Sequence, residues 1–137
     1  MGMPEVYEEI FDYAETYIKN NSSYSPLVLV NPPEETKVFP LVVIQEMNNT
    51  LSKEDLNKGD QLSILEYEIE IYAIDKGNTP KQVIIQELKK LVNDVLDEHY
   101  GMLRRACIPT PNADRNIDRL YMRYTALIDK NKKIYRR

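Results

Sequence analysis

Tryptophan is absent from the 137 residues, cysteine and histidine occur once each, and glycine occurs only four times. Each scarcity closes off a kind of chemistry. Cys107 alone cannot make an intramolecular disulfide, and a lone thiol suits a reducing compartment. His99 is the single imidazole, so there is no His/Cys cluster for zinc and only one histidine base for any Ser or Cys nucleophile. Its position at a helix end reads as a partner for the helix dipole rather than a catalyst. Gly2, Gly59, Gly77 and Gly101 are too scattered to build a phosphate-cradling loop. The longest aliphatic runs, Leu27–Val30 and Leu41–Ile44, fall far short of the ~18 apolar residues of a membrane span. No basic-then-apolar leader opens the chain, and Val6 stands where a Met1-Gly2 myristoylation start needs Ser or Thr.

What is present is ordinary in amount and unusual in placement. With 42% hydrophobic and 29% charged residues, the chain is expected to form one domain over residues 1–137. The net charge of −4 is unevenly spread. Residues 1–100 hold 8 Lys and Arg against 19 Asp and Glu, a net of −11, whereas residues 101–137 hold 10 against 3, a net of +7. Acidic and basic segments can neutralise each other inside one molecule. Alternatively, the acidic side of one copy meets the basic side of the next, which builds a ring where the rotation closes. A nucleic acid or an acidic partner is a third reading of the same asymmetry.

Periodicity supplies the elements. Val6, Ile10, Tyr13 and Tyr17, flanked by Tyr7, Phe11, Ala14 and Ile18, recur at helical spacing over residues 4–20, with Pro4 and acidic residues in the first turn. Leu27–Val30 and, after Pro32-Pro33, Val38–Met47 predict strands. Leu41–Ile44 is apolar on both faces, as in a sheet interior. Asn48–Gln61 is polar and aperiodic, which predicts a long loop. In Leu65–Asp75, Leu65, Tyr67, Ile69, Ile71 and Ala73 alternate with Glu66, Glu68, Glu70 and Tyr72, predicting a strand with one apolar and one acidic, wet face.

Asp75–Asn78 turns the chain. Thr79 is placed to cap the next helix, with Pro80 at its first position and Gln82 completing a capping box. That helix turns Ile84, Ile85, Leu88, Leu91, Val92, Val95 and Leu96 inward and ends at His99-Tyr100-Gly101. Met102–Ile108 predicts a strand and Pro109–Asp114 a turn. Ile117–Ile128 predicts a long strand in which Leu120, Met122, Tyr124, Ala126 and Ile128 alternate with Arg119, Tyr121, Arg123, Thr125 and Leu127. Ile134-Tyr135 adds a short strand within a basic tail at 130–137. The fold class is therefore α+β, a largely antiparallel or mixed sheet with two main helices packed on one face.

Chemistry-bearing groups are few. Glu66, Glu68 and Glu70 project at period two, which any solvated strand shows, so an ionic face is expected in place of a metal site. Arg119 and Arg123 can oppose these glutamates where the two long strands are neighbours. Arg104, Arg105, Arg115, Arg119, Arg123, Arg136 and Arg137, with Tyr121, Tyr124 and Tyr135, combine cations with stacking surfaces, the inventory of a nucleic-acid-binding module. The acidic whole argues against such a module. Ten Tyr against two Phe suit protein contacts.

The strand LEYEIEIYAID (Leu65–Asp75), the helix from Pro80, the turn IPTPN (Ile108–Asn112) and the strand RLYMRYTALID (Arg119–Asp129) occur in an order that resembles the tail terminators. These are the tail completion, minor capsid-type neck proteins of long-tailed bacteriophages and prophages. The resemblance spans Val6 to Asp129 and rests on strand and helix patterns, with no catalytic signature. It implies a structural protein of the virion, assembled in the host cytoplasm, and no enzyme. Such a protein forms a hexameric ring on the head-proximal end of the tail tube, ends tube growth, and presents a surface to the head-completion or stopper protein. Its partners are then further copies of itself, the tail tube protein and the stopper, with DNA only in transit, no membrane, no cofactor and no metal. The expected subunit interface comprises Glu66, Glu68 and Glu70 facing Arg119 and Arg123 of the same or the adjacent copy, together with Arg104, Arg105 and Arg115, and the arginines are expected to face protein rather than the channel. Asn48–Gln61 is the segment expected to order on tube contact. The alternatives are a connector or stopper of the same neck and, in another class, a nucleic-acid-binding module using the basic C-terminal third.

Overall fold

The computed structural model describes residues 5–35, 38–51 and 62–136. Helix α1 (Tyr7–Asn21) leads to strand β1 (Leu27–Leu29), β2 (Leu41–Leu51) and β3 (Leu62–Ala73). Helix α2 (Lys81–Asn93) follows, then β4 (Leu103–Thr110), β5 (Asp118–Asp129) and β6 (Ile134–Arg136). The strands form one sheet in the order β1-β2-β3-β5-β4, with β6 also on β5. All pairings are antiparallel except β1 with β2, so this is a mixed sheet in an α+β fold.

The two alternating strands do most of the positioning. Leu65, Tyr67, Ile69, Ile71 and Ala73 of β3, with Leu120, Met122, Tyr124, Ala126 and Ile128 of β5, are all buried on one face. On that face they meet Ile10, Ala14 and Ile18 of α1 and Ile84, Leu88 and Leu91 of α2. Truncating a fully buried member such as Leu88 to Ala costs ~3 kcal/mol, because the vacated volume cannot wholly collapse. Leu41–Ile44 is buried on both faces, as its unbroken apolar run requires. Among the described residues no helix is long and apolar enough to cross a membrane.

Several boundaries differ from the sequence reading for identifiable reasons. Asn48–Leu51 belongs to β2, paired with Glu66 through Ser63. A bulge between Glu46 and Asn48 shifts the register and leaves Met47 exposed, which breaks the alternation a strand is recognised by. The rest of the expected loop, 52–61, lies outside the described residues. β3 starts three residues earlier than expected, at Leu62. Pro109 and Thr110 lie in β4, opposite Leu120 and Arg119. Proline is tolerated there because β4 is an edge strand.

The entry to α2 is corrected too. Thr79 does not cap it: Pro80 precedes the first helical residue, and the Lys81 amide donates to Asp75 Oδ1 at 2.9 Å. Thr79 is instead tied back to Lys76 in a tight turn, 3.0 Å in each direction. At the far end the helix widens into a π-helical turn, Asp94–His99. The Tyr100 amide donates to Val95 O at 3.0 Å and the Met102 amide to Leu96 O at 2.8 Å. Gly101 closes this turn at φ +75°, a left-handed conformation that favours glycine.

Candidate functional site

The residues expected at the interface divide into a plate and an edge. The plate is the sheet face opposite the helices. Register sets Tyr72 across from Arg119, Glu70 across from Tyr121 and Glu68 across from Arg123. The ion pairs run diagonally. Arg119 Nη2 lies 2.5 Å from Glu70 Oε1, and Arg123 Nη1 lies 3.5 Å from Glu66 Oε1. Tyr121 fills the gap, its hydroxyl donating to Glu68 Oε1 at 2.7 Å. The Tyr72 hydroxyl donates to Glu70 Oε2, and its ring underlies the Arg119 guanidinium at 5.3 Å. All three glutamates are thus partnered inside the chain.

The titration of the plate follows from these contacts. Tyr72 is pushed up to about 12 by burial and then by its bond to Glu70. Tyr121 is likewise pushed up to about 12 by burial and then by its bond to Glu68. The Glu70 hydrogen bond raises Arg119 above its ordinary value. Both tyrosines therefore stay neutral donors at physiological pH, and the plate is a fixed polar lattice.

The other three arginines lie elsewhere. Arg104 and Arg105 are exposed on β4, Arg105 falling within the register shift between Arg104 and Ala106. Arg105 Nε donates to Thr125 Oγ1 at 3.0 Å. Arg104 lies across from Tyr124, on the helix-covered side of the row. Arg115 sits in the β4–β5 turn, on the rim of a cleft of ≈ 570 Å³ shared with Gln82, Ile85 and Pro111. The structure therefore brings five of the eight expected residues together and sets Arg104, Arg105 and Arg115 apart.

His99 is exposed and stacks on Tyr13, ring centroids 4.1 Å apart, and Cys107 is half-buried against the core. Among the described residues no group of three or more His, Cys, Asp or Glu side chains is placed to hold a metal ion.

One residue escaped the sequence reading. Glu46 shares the helix-covered face of β2 with Val42 and Ile44, paired across from buried Tyr67. Burial, and then Glu5, raise its carboxyl above the usual range, while the Tyr67 hydroxyl beside it acts in the opposite direction. Burial raises Tyr67 strongly as well, and Tyr7 is pushed up to about 12 by burial and then by Glu46. The signal was a lone carboxylate in the same phase as two buried aliphatics. No protein-family model matches the chain, and no curated protein matches it in sequence.

Proposed function

We propose that this chain is a structural assembly protein that forms a ring on the head-proximal end of a phage tail tube, ending tube growth and offering a surface for head joining. The observation that carries this reading is the open sheet face. It is a broad polar plate of Glu66, Glu70, Arg119 and Arg123 whose charges and hydroxyl donors are fixed against one another. A preorganised plate backed by a helix-packed core suits protein docking, because little side-chain entropy remains to be lost on contact. The order of strands and helices, with its resemblance to tail terminators, supports the same reading.

The mechanism is one of mismatch. A tube of stacked rings grows because each end exposes the next docking surface. A subunit that matches that surface on one side and does not reproduce it on the other stops growth. The arginines that suggest nucleic-acid binding are partly committed already: Arg119, Arg123 and Arg136 each pair with a carboxylate of the same chain.

The test is a capping assay. The chain is added to polymerising tail-tube protein encoded beside its own gene, and tubes are examined by electron microscopy. Shortened tubes with density at one end support the terminator reading. Tubes of unchanged length without end density overturn it in favour of a connector or stopper. Tight, salt-sensitive binding to arbitrary DNA moves the reading to a nucleic-acid module.

A further inference from the structure

Glu46, Tyr67, Tyr124 and Arg104 occupy one row across four strands, on the face the helices cover. The row has an acid at one end and a base at the other. Three inter-strand spacings of about 4.8 Å separate the ends, ~14 Å, so the two charges cannot pair within the chain.

Each end is open. β1 pairs with β2 only as far as Val43, so beyond it β2 has no strand on its outer side among the described residues. There a cleft of ≈ 400 Å³ is lined by Tyr7, Val30, Asn31, Gln45 and Glu46. Glu46 Oε1 and the Tyr67 hydroxyl beside this carboxyl are buried, and neither has a well-formed hydrogen bond among the described residues. The charge acting on this carboxyl is another acid, Glu5. A half-buried carboxylate with one buried, open acceptor atom, an aromatic ring and an amide oxygen nearby is the chemistry that receives a guanidinium.

At the opposite edge, β4 pairs with β5 and with no other strand among the described residues. Arg104 is exposed there and makes no salt bridge among the described residues. Charged side chains on an edge strand oppose indiscriminate pairing. They permit a pairing that meets the charge.

We infer that copies of this chain join edge to edge, Arg104 of one copy entering the cleft beside Glu46 of the next. The contact is heterologous, its two sides lying on opposite edges of one sheet, so it closes into a ring or propagates. It deepens the ring reading and rests on it, and it moves the subunit contact from the plate to the edges. The plate carboxylates each have a partner within the chain, whereas neither end of this row has an opposite charge paired with it among the described residues.

The test uses sedimentation of the full chain over a concentration series, with thermal unfolding of each variant as a folding control. Wild type is expected to associate beyond dimers. Glu46→Gln, Glu46→Lys and Arg104→Ala should each weaken association about tenfold or more. An equimolar mixture of Glu46→Lys and Arg104→Ala should recover dimers and stop there, because only one intact contact can form between them. If Glu46→Lys does not fold, Glu46→Gln serves in its place. Association insensitive to all three substitutions overturns the edge contact and leaves the ring reading standing. A wild type that stays monomeric overturns the contact too, provided the Cys107→Ser chain carrying Glu46→Cys and Arg104→Cys forms no oxidative cross-link between copies. Tube capping by the same preparation decides the ring reading separately.

Discussion

Arg119 and Glu70 meet diagonally across β5 and β3 at 2.5 Å, each less than a third exposed, with the Tyr72 ring beneath the guanidinium. The pair is partly desolvated and geometrically fixed. Arg119→Met is expected to lower stability by ~1 kcal/mol, with much of that appearing as coupling in a double-mutant cycle with Glu70→Gln. The looser pair of Arg123 with Glu66, at 3.5 Å, should show coupling near zero. Urea unfolding of the two cycles checks the contrast. Equal couplings would remove the distinction.

Two buried tyrosines offer an opposite comparison. The Tyr124 hydroxyl donates to Asn93 Oδ1 at 2.8 Å, whereas the buried Tyr67 hydroxyl has the Glu46 carboxyl beside it and no well-formed hydrogen bond among the described residues. Tyr124→Phe should cost about 1 kcal/mol, and Tyr67→Phe should be neutral or stabilising. Chemical denaturation midpoints at neutral pH decide it. A larger loss at Tyr67 than at Tyr124 counts against the orphaned hydroxyl.

The Glu46 carboxyl gives a pH signature. Burial, with Glu5 adding to it, raises it above its ordinary value of 4.5 in the folded state. The native chain therefore keeps this proton to higher pH than the unfolded chain. The resulting stability is present at low pH and falls as pH rises from 4.5 through the folded value. Glu46→Gln should remove that fall and leave the variant more stable than wild type at neutrality. Urea midpoints from about pH 4 to neutrality measure this. Parallel profiles for the two proteins would show that Glu46 does not titrate in the window.

Helix α2 should depend on a residue outside it. Asp75→Ala removes the acceptor for the Lys81 amide and should cost ~1 kcal/mol, whereas Thr79→Ala should cost much less. Thermal unfolding of both variants is sufficient. A larger loss at Thr79 would restore the conventional cap.

How much of this was legible in the sequence depends on whether a signal is local. The two long strands could be read because period-two alternation repeats over several residues, and α2 with the turn that follows it because seven apolar positions recur at helical spacing. The opposition of Arg119 and Arg123 to the glutamates required only that β3 and β5 be neighbours. The tyrosine links were harder to see. Tyr72 and Tyr121 stand in the outward phase of their strands, yet nothing local distinguishes a solvated phenol from one bonded to a carboxylate. The bulge at Met47 hid the last part of β2, since one extra residue inverts the phase. The cap from Asp75 was missed because the turn brings it back from six residues upstream. Glu46 needed the whole sheet, because its isolation arises from where β1 stops.

The π-helical turn at Asp94–His99 has a bearing on the far edge of the sheet that its location would not suggest. Only Tyr100, Gly101 and Met102 separate it from β4. Winding those six residues as an ordinary α-helix would change the phase in which the chain enters the sheet. A one-residue slip there would turn Arg104 toward the plate and bring a neighbour into the row ending at Glu46. The pitch of a single helical turn thus selects which side chain of β4 shares a row with Tyr124.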